Sequence, residues 1–180
     1  MKLTTLTPLT LLAAFMFSTN FVNGSPAQTT YYCPDPYDSV PLLRGYNPSS
    51  TDHFYTTNSA EMTNAVKNGG YSREGNAARV FSTKEPSTVP LYRVFSLAAG
   101  DHFYTTSAPE KNNAIDNLGY KDEGVAAYIY TSDECGGEPL FRLYNSNAKD
   151  HFYTMSAAER DSAVGLGYVL EGIAGYVLPA

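Results

Sequence analysis

The sequence predicts an α+β, β-rich fold of three tandem ββαβ repeats, each about 49 residues long, closed about a pseudo-threefold axis. Three observations predict it. The segments PLLRGYN, PLYRVFS and PLFRLYN begin at Pro41, Pro90 and Pro139, two intervals of 49 residues. DHFYT recurs at Asp52, Asp101 and Asp150 with the same interval. Each copy is followed by a glycine-marked segment: GGYSREGNAARVF, LGYKDEGVAAYIY or LGYVLEGIAGYVL. A unit this small cannot bury its own apolar face, so neighbouring units must complete one another. Neither end of the array carries a polar capping repeat, which favours a ring over an open stack.

The first strand of each unit holds Leu42, Leu91 and Leu140 in one register, with Leu43, Tyr92 and Phe141 beside them. Arg44, Arg93 and Arg142 interrupt this apolar run. In the second strand, alternation sends His53 and Tyr55 to one face and Phe54 and Thr56 to the other, so the faces have different tasks. A helix start follows at Asn58, Ser107 and Ser156. Glu61, Glu110 and Glu159 stand three residues on, the spacing of a reciprocal capping box. Met62, Ala65 and Val66, then Ala114, Ile115 and Leu118, then Ala163 and Val164, mark the buried helix face. Two to three turns later the helix stops at Gly70, Gly119 and Gly167, where a left-handed residue turns the chain back. Tyr71, Tyr120 and Tyr168 are expected to pack over that end. The last strand is predicted over Ala77–Phe81, Ala126–Tyr130 and Ala174–Leu178. The small residues Ala78, Ala127 and Gly175 mark close approach to a neighbouring element.

Residues 1–27 read as a secretory signal: Lys2, an apolar run from Leu9 to Phe17, then small residues at Ser25 and Ala27. Residues 28–180 then form one domain with repeats at about 40–84, 89–132 and 138–180, expected outside the cell. The chain has 18 acidic and 12 basic residues, a net charge of −6, and no basic stripe. Nucleic acid and anionic membranes are therefore excluded as partners. Cys33 and Cys135 are the natural partners for one disulfide in an oxidising compartment.

The PLYR, DHFYTT and GYxxEGxAxYVY segments resemble a family of secreted fungal and bacterial repeat proteins built on a domain of unknown function. The resemblance runs from about Val40 to Leu178. Repeats of that family often stand as accessory modules beside hydrolase domains of extracellular enzymes, which implies binding to polysaccharide or cell-wall material. The first repeat departs from the pattern. It has Gly45 where the others have Val94 and Leu143, and Arg79 where they have Tyr128 and Tyr176.

The residues give little support to catalysis. Adjacent strand residues point to opposite faces, so Asp52 cannot orient its own neighbour His53. No nucleophile elbow is present. Every candidate acid occurs three times, whereas a glycoside hydrolase places one acid and one base in a single cleft. A zinc site of three converging histidines, or calcium held by the repeated Asp and Glu residues, is compatible with composition, but neither matches a known ligand spacing. No cofactor is expected. The leading expectation is a non-enzymatic, lectin-like protein that binds glycan or cell-wall polysaccharide through Asp52, His53 and Tyr55, Asp101, His102 and Tyr104, and Asp150, His151 and Tyr153. Arg44, Arg93 and Arg142 would position them. The alternative is a structural or protein-interaction factor in which the same residues staple the repeats together. Exposure of the histidines and tyrosines separates the two.

Overall fold

The computed structural model describes residues 32–180, and the predicted signal segment 1–27 lies outside them. The first repeat comprises β1 (Val40–Asn47), β2 (Asp52–Thr56), α1 (Ser59–Asn68) and β3 (Ser72–Val80). The second comprises β4 (Thr88–Ser96), β5 (Asp101–Thr105), α2 (Ala108–Leu118) and β6 (Lys121–Tyr130). The third comprises β7 (Glu138–Asn145), β8 (Asp150–Thr154), α3 (Ala157–Gly165) and β9 (Val169–Val177). In each, the first strand is central and pairs antiparallel with the other two. Among the described residues no helix is long and apolar enough to cross a membrane.

The predicted order of elements holds, with one correction. The last strands are nine or ten residues long and begin well before the expected alanines. The polar SREG segment stays paired with β1 because Glu74 and Ala77 bulge out of the ladder, and Gly75 takes a positive φ of 103° that a side chain would resist. β9 repeats these bulges at Glu171 and Ala174. Both bulges escape a reading by alternation because they break it.

The ring is closed. Tyr130 pairs with Tyr176, and isolated bridges join Arg79 to Leu178 and Phe81 to Tyr128, so β3, β6 and β9 meet pairwise about the axis. The shared core on that axis takes Leu42, Leu91 and Leu140, Val80, Ile129 and Val177, and one tyrosine from each DHFYT. A Cβ at Gly175 would collide with the Ile129 side chain, which confirms the close approach expected there. Separate small clusters seat each helix on its own sheet, for example Leu43, Phe54 and Met62 in the first repeat.

The two departures of the first repeat are compensated. A Cβ at Gly45 would lie 3.1 Å from the Met62 sulfur, so the missing side chain makes room for a buried methionine. The positions equivalent to Met62 are Lys111, over the Tyr92 ring at 5.1 Å, and Arg160, over the Phe141 ring at 4.6 Å. Arg79 donates from Nε to Ser39 Oγ at 2.8 Å and ties down the segment before β1. That segment is anchored again by the predicted Cys33–Cys135 disulfide, which spans 102 residues. Closing so long a loop restricts the unfolded chain strongly.

Candidate functional site

Alternation along DHFYT works as expected. Phe54 and Thr56 face the repeat's own helix, while His53 and Tyr55 face the neighbouring repeats. The partners across the second face could not be read from the sequence. β2, β5 and β8 are edge strands whose outward N–H and C=O groups would otherwise lack a ladder partner. Side chains of the adjacent repeats cap them.

The tyrosines cap one level of these edges. Tyr104 OH accepts from Tyr55 N–H at 2.8 Å and donates to Tyr55 O at 2.8 Å. Tyr153 OH does the same for residue 104, and Tyr55 OH for residue 153, over 2.7–2.9 Å. The three rings meet edge to face with centroids 5.4–5.5 Å apart. Burial pushes all three hydroxyls well above their ordinary pKa, so they remain proton donors.

The aspartates cap the next level. Asp52 accepts from His102 N–H at 2.8 Å, and its other oxygen faces His102 Nδ1 at 2.7 Å. Asp101 holds His151 in the same way, and Asp150 holds His53. Each carboxylate also accepts the hydroxyl of its own repeat's Tyr71, Tyr120 or Tyr168. Burial, and next the adjacent carboxylate, raise the Tyr71 and Tyr120 hydroxyls far above the ordinary value. Asp52 thus does not orient its neighbour His53 but the equivalent histidine one repeat onward, His102.

This geometry encloses the aspartates and tyrosines of DHFYT within the ring. Asp52, Asp101 and Asp150 are 0% exposed and Tyr55, Tyr104 and Tyr153 are 1% exposed, and their hydrogen bonds are made within the ring. They are out of reach of a ligand in solvent. It is also the aspartates, with oxygens within 4.8 Å of one another, that converge on the axis, and not the histidines. All three carboxylates already accept from an imidazole, a backbone N–H and a phenol.

What remains open lies at the seams between repeats. The histidine side chains are 10–13% exposed. Each packs at a tilt against Tyr46, Phe95 or Tyr144, with ring centroids 4.4–4.6 Å apart, and borders a cleft. The cleft between the third and first repeats has a volume of about 340 Å³ and is lined by Arg44, Tyr46, His53 and Glu74 on one side and Glu159 and Leu166 on the other. Its counterparts at the other two seams measure about 190 and 180 Å³. Across each seam an arginine grips a glutamate with both terminal nitrogens: Arg44 with Glu159 at 3.0 and 2.8 Å, Arg93 with Glu61 at 3.1 and 2.8 Å, and Arg142 with Glu110 at 3.0 Å twice. The arginine Nε lies 2.8–2.9 Å from Glu74, Glu123 or Glu171 of its own repeat. In the first two repeats that N–H is poorly aligned, so the contact there is Coulombic more than a hydrogen bond. The guanidinium covers Phe152, Phe54 or Phe103 across the seam at 5.2–5.3 Å.

The family of domains of unknown function DUF5648 matches residues 41–178, the three repeats with all their seam residues. The chain belongs to this family. Comparisons with curated proteins and with solved structures find no match.

In this DUF5648 chain the helix caps also differ from the predicted box. Asn58, Ser107 and Ser156 do accept from the helix amides, but the N-cap N–H bonds to Thr56, Thr105 or Thr154 at 3.0 Å. The threonine hydroxyl donates a hydrogen bond to Glu61, Glu110 or Glu159, leaving that carboxylate turned toward the arginine next door. The signal lay in the spacing of Thr56 to Glu61, repeated at 49-residue intervals.

Burial alone would raise the Glu61 and Glu110 carboxyls, but arginine and threonine outweigh it and hold both below the ordinary 4.5. For Glu159 the Arg44 guanidinium dominates in the same direction. A carboxyl depressed in the folded state stabilises fully above its unfolded pKa, and the contribution drains as pH falls below 4.5 through the folded value. Because these side chains are more than a third exposed, each contributes less than about 1 kcal/mol after screening. Urea midpoints should therefore fall on acidification below pH 4.5, and E61Q/E110Q/E159Q should show a flatter fall. Parallel curves for the two proteins would refute it.

Proposed function

We propose that this protein is a secreted, non-enzymatic glycan-binding module whose ligand sits in the seam clefts, not on the DHFYT strands. One observation carries the reading: the 340 Å³ cleft sets the Tyr46–His53 ring pair beside Arg44, Glu74 and Glu159. Sugar recognition requires an apolar ring surface with fixed polar groups around it, and this volume falls within the range of small-ligand sites. Burial, aided by Asp150 and Glu74, raises the Tyr46 hydroxyl, so it stays a donor.

The charge state of the seam glutamates supports a non-catalytic role. A glycosidase needs one carboxyl with a raised pKa to act as acid, whereas Glu159 is held low by Arg44. The apolar run Leu9–Phe17 and the Cys33–Cys135 bridge support an extracellular site of action. A second reading, docking of a protein partner, draws on Leu166, Val169, Leu170 and Ile173. These apolar side chains are exposed on the third repeat, where the first has Gly69, Ser72, Arg73 and Asn76.

The disulfide-bonded protein should bind saturably to at least one member of a glycan and cell-wall polysaccharide panel. Y46A should weaken that binding, and V169D should leave it intact. The absence of saturable binding by folded protein would sink the glycan reading and favour the protein partner.

A further inference from the structure

The three clefts descend from one motif, yet they are not the same. A hydroxyl-bearing ring, an exposed aliphatic lip and room beside the helix coincide at one seam only. Between the third and first repeats these are Tyr46, Leu166, which is 76% exposed, and the small Ser162. The seam between the second and third repeats keeps Leu118 but narrows the cleft with Asn113. The seam between the first and second has Asn64 on its wall, Gly69 at the lip position and Phe95 packed against its histidine, so it lacks both the lip and the hydroxyl. The volumes, about 340 against 190 and 180 Å³, follow these differences. Only the first lies within the usual range of about 300–1,000 Å³ for ligand sites.

The same seam is fastened differently: Thr51 Oγ1 donates across it to Ala148 O at 2.8 Å, and the threonine that follows DHFYT in the other two repeats is replaced. Thr57 and Thr106 donate across the first two seams to Ala126 O and Ala174 O at 3.3 and 3.2 Å. The third position is Met155, which has no hydroxyl to donate, and there a second hollow opens that shares Arg44 and Glu159 with the cleft.

Charge narrows the ligand class. The cleft offers the Arg44 guanidinium, already gripped by Glu159 and Glu74, against those two carboxylates. The His53–Asp150 pair adds either no charge or a negative one, whichever form the imidazole takes. The whole chain carries −6. With two carboxylates against one guanidinium in the lining, the cleft is net negative, so uronate or sulfate groups would meet repulsion and an ammonium group attraction.

Resting on the glycan reading above, we infer that the protein has one working site, at the seam of the third and first repeats. Its ligand is a glycan bearing free amino groups, and the other two clefts are architectural remnants of the repeat.

The test is calorimetric titration of the full disulfide-bonded protein with glucosamine oligomers, their N-acetylated counterparts and galacturonate oligomers. One binding event per molecule is expected, with affinity falling in that order. Y46F, S162N and L166G each install a residue already present at the equivalent position of another repeat, so the fold accommodates them. Combined, they should weaken binding by about tenfold or more, the equivalent of losing one good polar contact with its apolar surround. Y144F with L118G, at the neighbouring seam, should change nothing. Three events per molecule, or equal losses from both sets of variants, would overturn the single site while leaving glycan binding in place. Strongest binding of galacturonate would overturn the charge assignment. Binding of no glycan at all would remove this inference together with the reading beneath it.

Discussion

Replacing Asp101 by alanine should cost about 3–5 kcal/mol of folding stability, the range for breaking a buried, hydrogen-bonded charge site. The variant strands three donors at once: His151 N–H, the His151 ring nitrogen and the Tyr120 hydroxyl. Each buried orphan costs about 1–3 kcal/mol, and a domain this size has only about 5–15 kcal/mol in total. An opposing term must be weighed. Three carboxylates with oxygens within 4.8 Å repel one another, by about 3 kcal/mol per pair at an effective dielectric constant near 20. D101N separates the two terms, since it keeps the shape and one acceptor while relieving the repulsion. It should therefore be far milder than D101A, within about 1 kcal/mol of the parent protein. Urea unfolding of both variants checks this. Equal losses for D101A and D101N, or a D101A loss below about 1 kcal/mol, would show that the aspartate layer does not hold the ring together.

The contrast between what the sequence disclosed and what it hid follows the range of the interactions. Helix starts, left-handed glycines and the two faces of DHFYT depend on neighbours within a few residues, and they were legible. The repeat interval exposed the architecture, and with only two cysteines the disulfide had one possible pairing. The partner of each polar side chain was hidden, because Asp52 reaches its own Tyr71 and the next repeat's His102 at the same time. Composition made an aspartate, a histidine and a tyrosine look like a sugar site. A closed ring consumes such residues on its own edge strands. The open cleft is lined instead by side chains that differ between the repeats, such as Tyr46, Ser162 and Leu166. Gly45 and Arg79 depart from the other two repeats, yet Met62 and Ser39 answer them, and the first repeat contributes half of the largest of the three seam clefts.

Tyr104→Phe isolates the edge-capping role with the smallest chemical change available. It removes one hydroxyl, leaves the ring in place between Tyr55 and Tyr153, and uncovers the N–H and C=O of Tyr55 in a core where the residue is 1% exposed. Two buried backbone groups without partners should cost about 2–4 kcal/mol, more than a typical hydrogen bond because one hydroxyl serves two of them. Y55F and Y153F should lose similar amounts, since each hydroxyl caps one residue of the next strand around the ring. Combining two of them should not add, because these side chains share a network. The Tyr55 amide should lose hydrogen-exchange protection in Y104F while the Tyr104 amide, still capped by Tyr153, keeps more of its own. A Y104F protein as stable as its parent would mean that the exposed strand edges tolerate being uncapped. The recurrence of tyrosine in DHFYT would then need a cause other than the edges. If the loss is found, the three hydroxyls do for these edges what an added strand does elsewhere, closing them against further pairing and fixing the ring at three units.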